Sequence, residues 1–489
     1  MDRKVKFIRS TQSTIIQSQT EAECAPFFIS INDLPKAHKR DLINLSLIDP
    51  ETNNVLLVRE KHAKFLKKPL HEKSESTLPG GYISLDSSRP WILYWVLHGL
   101  DLIDDLPCEH MLKGIVHTLE SCWSDVKTNE NGGGGFGGGP AQMPHCATSY
   151  AAVMALCIIA GCEESTYPEA KGLALDLLQR KRKDLLKWYV TLRYETVDED
   201  TSKLVCGYRM HHDGEVDVRA TYCICAVASL LNILTEELKL GAIEHIVSCQ
   251  TYEGGFGGEP GSEAHGGYTF CALSALHILT RDSGLLSLAS CGVNTISLED
   301  WLVKRQLGYE GGFNGRSNKL VDGCYTFWVG GAIAILDLDR NWMDASTSTS
   351  DTFSKFDSGI YGDKLDPFHV QRFNSTGEYT KQIDNAGESN CGLTFDQQLL
   401  ERYILLCGQD TNGGLRDKPS KSRDFYHSCY GLSGLSVSQH VLNKGSSDFE
   451  YSKSLYQGEG KNLLGATHPV YNIRIERVKS MIYSFVSSS

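Results

Sequence analysis

The sequence predicts an all-α protein, an α/α barrel of about six helical hairpin repeats. Gly-rich turns recur along the 489 residues, and an almost wholly apolar stretch follows each of them. Such stretches are typical of helices that are buried on most sides. The segments between them, such as 298–306, have a one-sided apolar pattern that suits an outer layer of helices. Closing the hairpins into a barrel would bring the Gly-rich turns together at one rim, where we expect the chemistry.

Five repeats are legible, and each combines a Gly-rich turn with an anchoring tyrosine. The tyrosines are Tyr150, Tyr222, Tyr268, Tyr325 and Tyr430. A weaker sixth copy begins at Ser88. The turns are not phosphate loops, because no Gly-Lys-Ser/Thr sequence follows any of them. We therefore interpret them as the repeated turns of one architecture.

The repeats also suggest how the chain is divided. We expect residues 1–80 to form an N-terminal helical extension and residues 81–489 to form the barrel. The repeat spacing breaks between Tyr325 and Tyr430, where a polar region begins with a Ser/Thr run. This region, at about 343–391, predicts a surface insertion.

Composition excludes several classes of protein. The formal net charge of −12 argues against a general nucleic-acid binder, because neutralising phosphates requires clustered lysine and arginine. The apolar stretches are too short to span a bilayer, and the N-terminus lacks a secretory signal. The 16 cysteines are scattered through apolar helical stretches and are expected to be reduced core residues. We therefore expect a cytoplasmic protein without stable membrane insertion.

Aligning the repeats on the tyrosines predicts a polar site at the rim. A plain structural repeat would carry a cap or a small residue three positions before the tyrosine, as Ala147 does. In the other four copies this position holds Arg219, His265, Asp322 and His427. With the neighbouring Cys324, the last two offer oxygen, sulfur and nitrogen ligands, a set that suits zinc. Three protein ligands leave one position open, as in catalytic zinc sites.

Basic and aromatic residues surround this predicted site. Arg316, Lys319, Lys421 and Arg423 form a local basic group that suits a diphosphate. Aromatic residues at the starts of the inner helices either line a lipid tunnel or pack the core, and the sequence favours neither. They are Trp91, Trp95, Tyr222, Tyr268, Trp328 and Tyr430.

Five segments resemble the β-subunit family of protein prenyltransferases, and in particular the farnesyltransferase β subunits. They are 88–95 (SRPWILYW), 214–219 (GEVDVR), 263–271 (EAHGGYTFC), 318–325 (NKLVDGCY) and 421–427 (KSRDFYH). A sixth, 467–473 (THPVYNI), extends the resemblance almost to the C-terminus. The region before about residue 80 and the predicted insertion are not covered.

The resemblance implies a role for each matching residue. Asp322, Cys324 and His427 would be the zinc ligands, and Asp417 matches a carboxylate associated with Mg²⁺. Residues of the diphosphate site would be His265, Arg316, Lys319 and Tyr325, with Lys421 as a further substrate contact. Residues of the isoprenoid pocket would be Arg219, Trp91, Trp95, Tyr222, Cys271, Trp328 and Tyr430.

The implied enzyme is the β subunit of a heterodimer whose helical α subunit completes the site. It would transfer farnesyl from farnesyl diphosphate to the cysteine of a C-terminal CaaX sequence. A geranylgeranyltransferase type I β subunit is the nearest alternative, and the bulky Trp91 and Tyr430 argue against its longer isoprenoid. Terpene cyclases share helical barrels, but the sequence has no Asp-x-Asp-Asp motif. A non-catalytic toroid that binds partners would need no metal.

Overall fold

The computed structural model describes residues 11–28, 36–44, 47–51, 54–70, 80–126, 132–198, 202–282, 287–347, 393–442, 449, 451–454 and 460–486. Most of the predicted insertion, from 348 to 391, lies outside these residues. Residues 343–347, which we assigned to its beginning, instead continue a long helix.

The described residues are mainly helical. The helices are α1 (Gln12–Cys24), α2 (Lys36–Asn44), α3 (Arg59–Leu66), α4 (Arg89–Leu102), α5 (Glu109–Ser121), α6 (Cys146–Ala160), α7 (Pro168–Thr191), α8 (Val218–Leu230), α9 (Glu236–Lys239), α10 (Ala242–Ser248), α11 (Gly266–Asp282), α12 (Thr295–Val303), α13 (Tyr325–Thr347), α14 (Gln397–Tyr403), α15 (Phe425–Gln439) and α16 (Ile475–Val486). Short antiparallel hairpins join β1 (Trp123–Val126) to β2 (Gly133–Phe136), β3 (Arg193–Val197) to β4 (Leu204–Tyr208), β5 (His440–Leu442) to β6 (Tyr451–Ser454), and β7 (Thr467–His468) to β8 (Ile473–Arg474).

Six inner helices close a ring. In order around it, α4 packs on α6, α6 on α8, α8 on α11, α11 on α13, α13 on α15, and α15 returns to α4. These helices are apolar almost all round, and α6 is buried along its whole length. The apolar side chains of such a helix are removed from water only when other elements pack on every side of it. The predicted fold class, an α/α barrel, is confirmed.

Shorter or one-sided helices cover the ring. The outer helix α12 shows the pattern expected from its sequence, because Leu298, Trp301 and Leu302 are buried. Asp300, on the same helix, forms an ion pair at the surface with Lys304 just beyond its end. Helices α5 and α7 pack together outside α6, while α14 packs on α15. Among the described helices, none has the length and apolarity needed to cross a bilayer.

One rim is held by a regular series of backbone hydrogen bonds. In five repeats, the N–H of the residue that follows the helix cap donates to a carbonyl of the next repeat's turn. The pairs are Arg89 with Gly138, Cys146 with Met210, Val218 with Gly258, Gly266 with Gly315, and Gly323 with Asp417, at 2.8–3.0 Å. All these inner helices therefore begin at the same end of the barrel. Helix N-termini carry partial positive charge, so this rim favours anionic ligands.

The same hydrogen bonds correct the repeat register. Each turn has a buried apolar residue, with a capping side chain nine positions later and a hydroxyl thirteen positions later. The caps are His145, Asp217, His265, Asp322 and Asp424. The hydroxyl residues are Ser149, Thr221, Thr269, Thr326 and Ser428, and three of them accept from the backbone N–H of the apolar residue.

The alignment on the tyrosines was therefore wrong as a structural register. His265 and Asp322 are caps, Arg219 is the second residue after a cap, and His427 is the third. The physical reason is that caps and hydroxyls satisfy backbone donors at fixed places. A tyrosine ring, in contrast, reaches the barrel interior from several positions of the first two turns.

The C-terminal segment closes the other end of the barrel. Tyrosine hydroxyls from three adjacent inner helices donate to three consecutive carbonyls. The pairs are Tyr94 with Asn472 at 2.7 Å, Tyr150 with Tyr471 at 2.9 Å, and Tyr222 with Val470 at 2.7 Å. Helix α16 follows and packs on α6 and α8. The interior of the barrel thus has a floor of backbone held by tyrosines.

Candidate metal centre at the barrel rim

Three of the predicted residues converge at the starts of two neighbouring inner helices. Asp322 and Cys324 lie at the start of α13, and His427 lies in the first turn of α15. One ligand atom from each lies within 4.8 Å of the others, and no other such cluster of three occurs in the described chain. Carboxylate, thiolate and imidazole are zinc ligands, and three of them leave a fourth position open. The donor set therefore fits a catalytic zinc ion.

Asp424 orients the histidine of this cluster. Its Oδ1 caps α15 by accepting from the His427 backbone N–H at 2.7 Å, and its Oδ2 lies 2.7 Å from His427 Nδ1. With Nδ1 bonded to a carboxylate, Nε2 is the atom that faces Asp322, at 3.2 Å. This carboxylate–histidine arrangement is typical of metal sites, where it fixes the ring and its tautomer. The sequence reasoning missed this role of Asp424.

Burial and the contacts within the cluster shift the pKa values of His427, Asp322 and Cys324. Burial lowers the pKa of His427, but hydrogen bonds with Asp322 and Asp424 outweigh it and raise the pKa to about 9. Burial acts to raise the pKa of Asp322, yet the hydrogen bonds from His427 and Cys324 bring it below its ordinary value. Burial and the Asp322 charge raise the pKa of the Cys324 thiol. Binding of a divalent cation here is therefore coupled to proton release.

Tyr426 links the cluster to the barrel interior, and sequence reasoning missed it as well. Its hydroxyl accepts from Trp328 Nε1 at 3.1 Å. Tyr426 also acts to lower the pKa of the Cys324 thiol, against the larger raising effect of burial. Its ring lies edge-on to His427, with centroids 5.0 Å apart. In the corrected register Tyr426 occupies the same place after its cap as Cys324. That equivalence is the signal that would have singled it out.

His265 and Tyr325 form a second polar pair on the rim. His265 Nδ1 accepts from the Gly267 backbone N–H at 3.0 Å, so the ring proton resides on Nε2. Nε2 lies 3.0 Å from the Tyr325 hydroxyl and donates to it. The hydroxyl proton of Tyr325 is then directed elsewhere. Burial and the nearby Arg316 charge lower the pKa of His265, which keeps the imidazole neutral.

Arg316 and Lys319 stand on a short loop beside this pair. Asn314 closes the loop, because its buried side chain donates to the Lys319 carbonyl at 2.9 Å. The loop is fixed to α11 by the Gly266 N–H, which donates to the Gly315 carbonyl at 2.8 Å. Arg316 Nη1 donates to Glu263 at 2.6 Å, whereas the Lys319 side chain is exposed.

The other basic residues near the cluster differ in their contacts. Arg423 donates to the Gly413 carbonyl at 2.5 Å and Arg416 to the Cys407 carbonyl at 3.1 Å, so both are engaged by the protein itself. Lys421 is exposed. Arg219 binds Asp217 and lies over the Tyr268 ring, with its guanidinium carbon 5.4 Å from the centroid. Of the four residues in the predicted basic group, Arg316 and Arg423 therefore have partners within the protein, whereas Lys319 and Lys421 are exposed.

Asp417 lies beside the ligand cluster but has a partner of its own. Both of its carboxylate oxygens accept from the buried Lys418 Nζ, at 2.7 and 2.6 Å. Burial and the Asp322 charge raise the pKa of Asp417 in spite of this contact. Its carbonyl accepts from the Gly323 N–H and so joins the two helices that carry the ligands.

Aromatic rings extend from the metal ligands into the barrel. Tyr426 contacts Trp95 and Tyr430, with centroids 5.6 and 4.8 Å away. Trp95 stacks on Trp91 at 5.5 Å, and Trp328 packs on Tyr430 at 4.3 Å. Of the predicted pocket residues, the three tryptophans are partly exposed. The buried ones are Tyr222, Cys271 and Tyr430.

Comparisons with known proteins agree with this geometry. A family model described as the prenyltransferase alpha-alpha toroid domain matches residues 57–473. The chain is 37% identical over 450 residues to the protein farnesyltransferase subunit beta of Arabidopsis thaliana, covering 88% of this chain and 83% of that protein. Its identity to the Pisum sativum protein of the same name is 38% over 404 residues, covering 80% and 87%. The chain belongs to the β-subunit family of protein prenyltransferases.

A solved structure supports the fold alone. The structure of Candida albicans protein geranylgeranyltransferase-I complexed with GGPP matches with a TM-score of 0.56 and 19% identity, covering 88% of this chain and 99% of that one. The predicted resemblance and the predicted enzyme class, a protein farnesyltransferase, are confirmed by the farnesyltransferase β relatives. Within the family's barrel, the predicted zinc ligands come together at one rim of this chain.

Proposed function

We propose that this chain is the catalytic subunit of a zinc-dependent protein farnesyltransferase. It would transfer farnesyl from farnesyl diphosphate to the cysteine thiol of C-terminal CaaX sequences, in a heterodimer with an α subunit. The observation that carries the proposal is the convergence of Asp322, Cys324 and His427 above an aromatic-lined interior. Apolar walls suit the isoprenoid, and the metal cluster lies where its reacting end would emerge.

Each group at the rim has a task in this reaction. A zinc ion held by the three ligands would lower the pKa of a bound substrate thiol, which makes a nucleophile available at neutral pH. Asp424 keeps His427 Nε2 facing the cluster. Tyr325, whose oxygen accepts from His265, has its hydroxyl proton free to stabilise the leaving diphosphate.

The cationic side chains and the helix N-termini complete the electrostatics. Arg316 and Lys319 supply positive charge to the diphosphate from one loop, and the inner-helix N-termini favour the same anion. In this proposal Asp417 would bind Mg²⁺ only by exchanging its contact with Lys418. Trp91, Trp95 and Trp328 would contact the isoprenoid and exclude water from it. Cytoplasmic localisation stays a prediction.

The test is the loss of a single ligand. In the heterodimer, Cys324→Ala or His427→Ala should abolish stoichiometric zinc and farnesyl transfer, because each removes one of three protein ligands. Cys429→Ala is the matched control, since this buried thiol of α15 lies outside the cluster and should keep both. Zinc is measured by elemental analysis and transfer with a CaaX peptide. Normal zinc content and turnover in Cys324→Ala would refute the site.

A further inference from the structure

Glu263 is an acidic residue within the proposed diphosphate site. Its Oε2 accepts from Arg316 Nη1 at 2.6 Å, with side-chain exposures of 50% for Glu263 and 37% for Arg316. Both side chains are accessible to a ligand that arrives from solvent. An anion that binds Arg316 must therefore meet this carboxylate.

The chain fixes where the Glu263 carboxylate lies. The preceding turn is closed by the Ser262 N–H, which donates to the Glu259 carbonyl at 3.2 Å, and the following Ala264 is fully buried. One residue further, His265 caps α11. The charges of Glu263 and Arg316 both act on the His265 imidazole, with opposite signs. Glu263 is thus part of the same polar group and not of a distant loop.

A glutamate precedes the cap in two of the repeats. Glu263 stands two residues before the cap of α11, and Glu215 stands two residues before Asp217, the cap of α8. Glu215 pairs at 3.3 Å with Arg219 of its own repeat, which also binds Asp217, whereas Glu263 pairs with Arg316 of the next repeat. In both repeats a glutamate that precedes the cap therefore binds an arginine of the rim.

We infer that Glu263 is an internal counter-ion that holds Arg316 until the isoprenoid diphosphate replaces it. This inference rests on the proposed function. A diphosphate carries more negative charge than one carboxylate and can bind a guanidinium through two oxygens. Because Arg316 must give up its contact with Glu263 when the diphosphate binds, this competition lowers the affinity for diphosphate and favours departure of the diphosphate product. Glu263 would thereby limit the affinity of the site, whereas the basic residues raise it.

The test compares affinities of the heterodimer for inorganic diphosphate, measured by calorimetric titration. Glu263→Gln should tighten binding about 2- to 5-fold, the range of an exposed ion pair. Glu259→Gln makes the same charge change on an exposed residue of the same loop and should have no effect. In an Arg316→Gln background, Glu263→Gln should bring no gain, because its partner is gone.

Three results would overturn the inference. Unchanged or weaker binding in Glu263→Gln, while Arg316→Gln weakens binding, would show that Glu263 does not compete for Arg316. An equal gain in diphosphate affinity in Glu259→Gln would show that the effect comes from the change in net charge and not from the contact with Arg316. Normal diphosphate binding by Arg316→Gln would instead refute the proposed diphosphate site itself, and the inference with it.

Discussion

The substitution Asp424→Asn should weaken zinc binding, because it disturbs the orientation of His427, while it leaves the stability of α15 nearly unchanged. Asparagine caps helices about as well as aspartate, so the bond from the His427 backbone N–H is retained. The amide group then faces His427 Nδ1 in place of the second carboxylate oxygen, which now lies 2.7 Å from it. An amide N–H that donates to Nδ1 places the ring proton on Nε2, the atom directed at the metal cluster. Such a tautomer cannot bind zinc until it loses that proton.

The expected loss in zinc affinity follows from the removal of one group that orients His427. Changes of this kind typically cost about 10- to 100-fold in metal affinity, equivalent to about 1.4–2.7 kcal/mol. The free energy of unfolding should change little, because the cap survives. Asp424→Ala, which removes both contacts, should lose a further 0.5–2 kcal/mol of stability, the usual range for a lost cap.

The assay is a competition titration of zinc-depleted heterodimer against a chromophoric zinc chelator, together with chemical unfolding. Asp396→Ala is the matched control, since Asp396 caps α14 by accepting from the Leu399 N–H at 3.0 Å and contacts no ligand of the cluster. It should lose stability and keep its zinc affinity. Wild-type zinc affinity in Asp424→Asn would refute the orienting role, and an equal loss in Asp396→Ala would assign the effect to stability.

Two further predictions concern the barrel interior and pH. Trp91→Thr should reduce the preference for farnesyl over geranylgeranyl diphosphate by about 10- to 100-fold, because overpacking by the indole costs ~1–3 kcal/mol. Trp91 lies 6.0 Å from Tyr150 between ring centroids, so the added room ends at the tyrosine floor. The kcat/KM for each diphosphate on one CaaX peptide measures this, and an unchanged preference would contradict the role of Trp91. Burial raises the pKa of Asp337 to about 6, above its unfolded value of 3.8. The folded state therefore favours the protonated carboxyl, and this contribution to the free energy of unfolding is full below about pH 4 and is lost as pH rises through about 6. Relative to Asp337→Asn, the wild type should lose about 2–3 kcal/mol of unfolding free energy between pH 4 and 7; parallel curves for the two proteins would show that Asp337 does not titrate in this range.

Much of the site followed from residue types, because metal ligation requires particular atoms. Aspartate, cysteine and histidine near repeated turns indicated zinc although the register behind that argument was wrong. The three residues nevertheless lie together, since caps and first-turn residues of the inner helices share the same rim. The role of Arg219, whose side chain binds Asp217, stays a prediction.

Local sequence by itself determined the repeat, the buried inner helices and the chemical nature of the ligands. These depend on composition and periodicity within a few turns of chain. Only the tertiary structure decided which charges are free and which are paired. Arg423, Lys418 and Arg316 look alike in the sequence. Yet one is held by a carbonyl, one is buried on Asp417, and one meets Glu263 from another repeat. The reason is that a charged side chain takes its partners from whatever the closed barrel places beside it. Glu263 is 53 residues from Arg316, and Lys418 also donates to the Val321 carbonyl, 97 residues away.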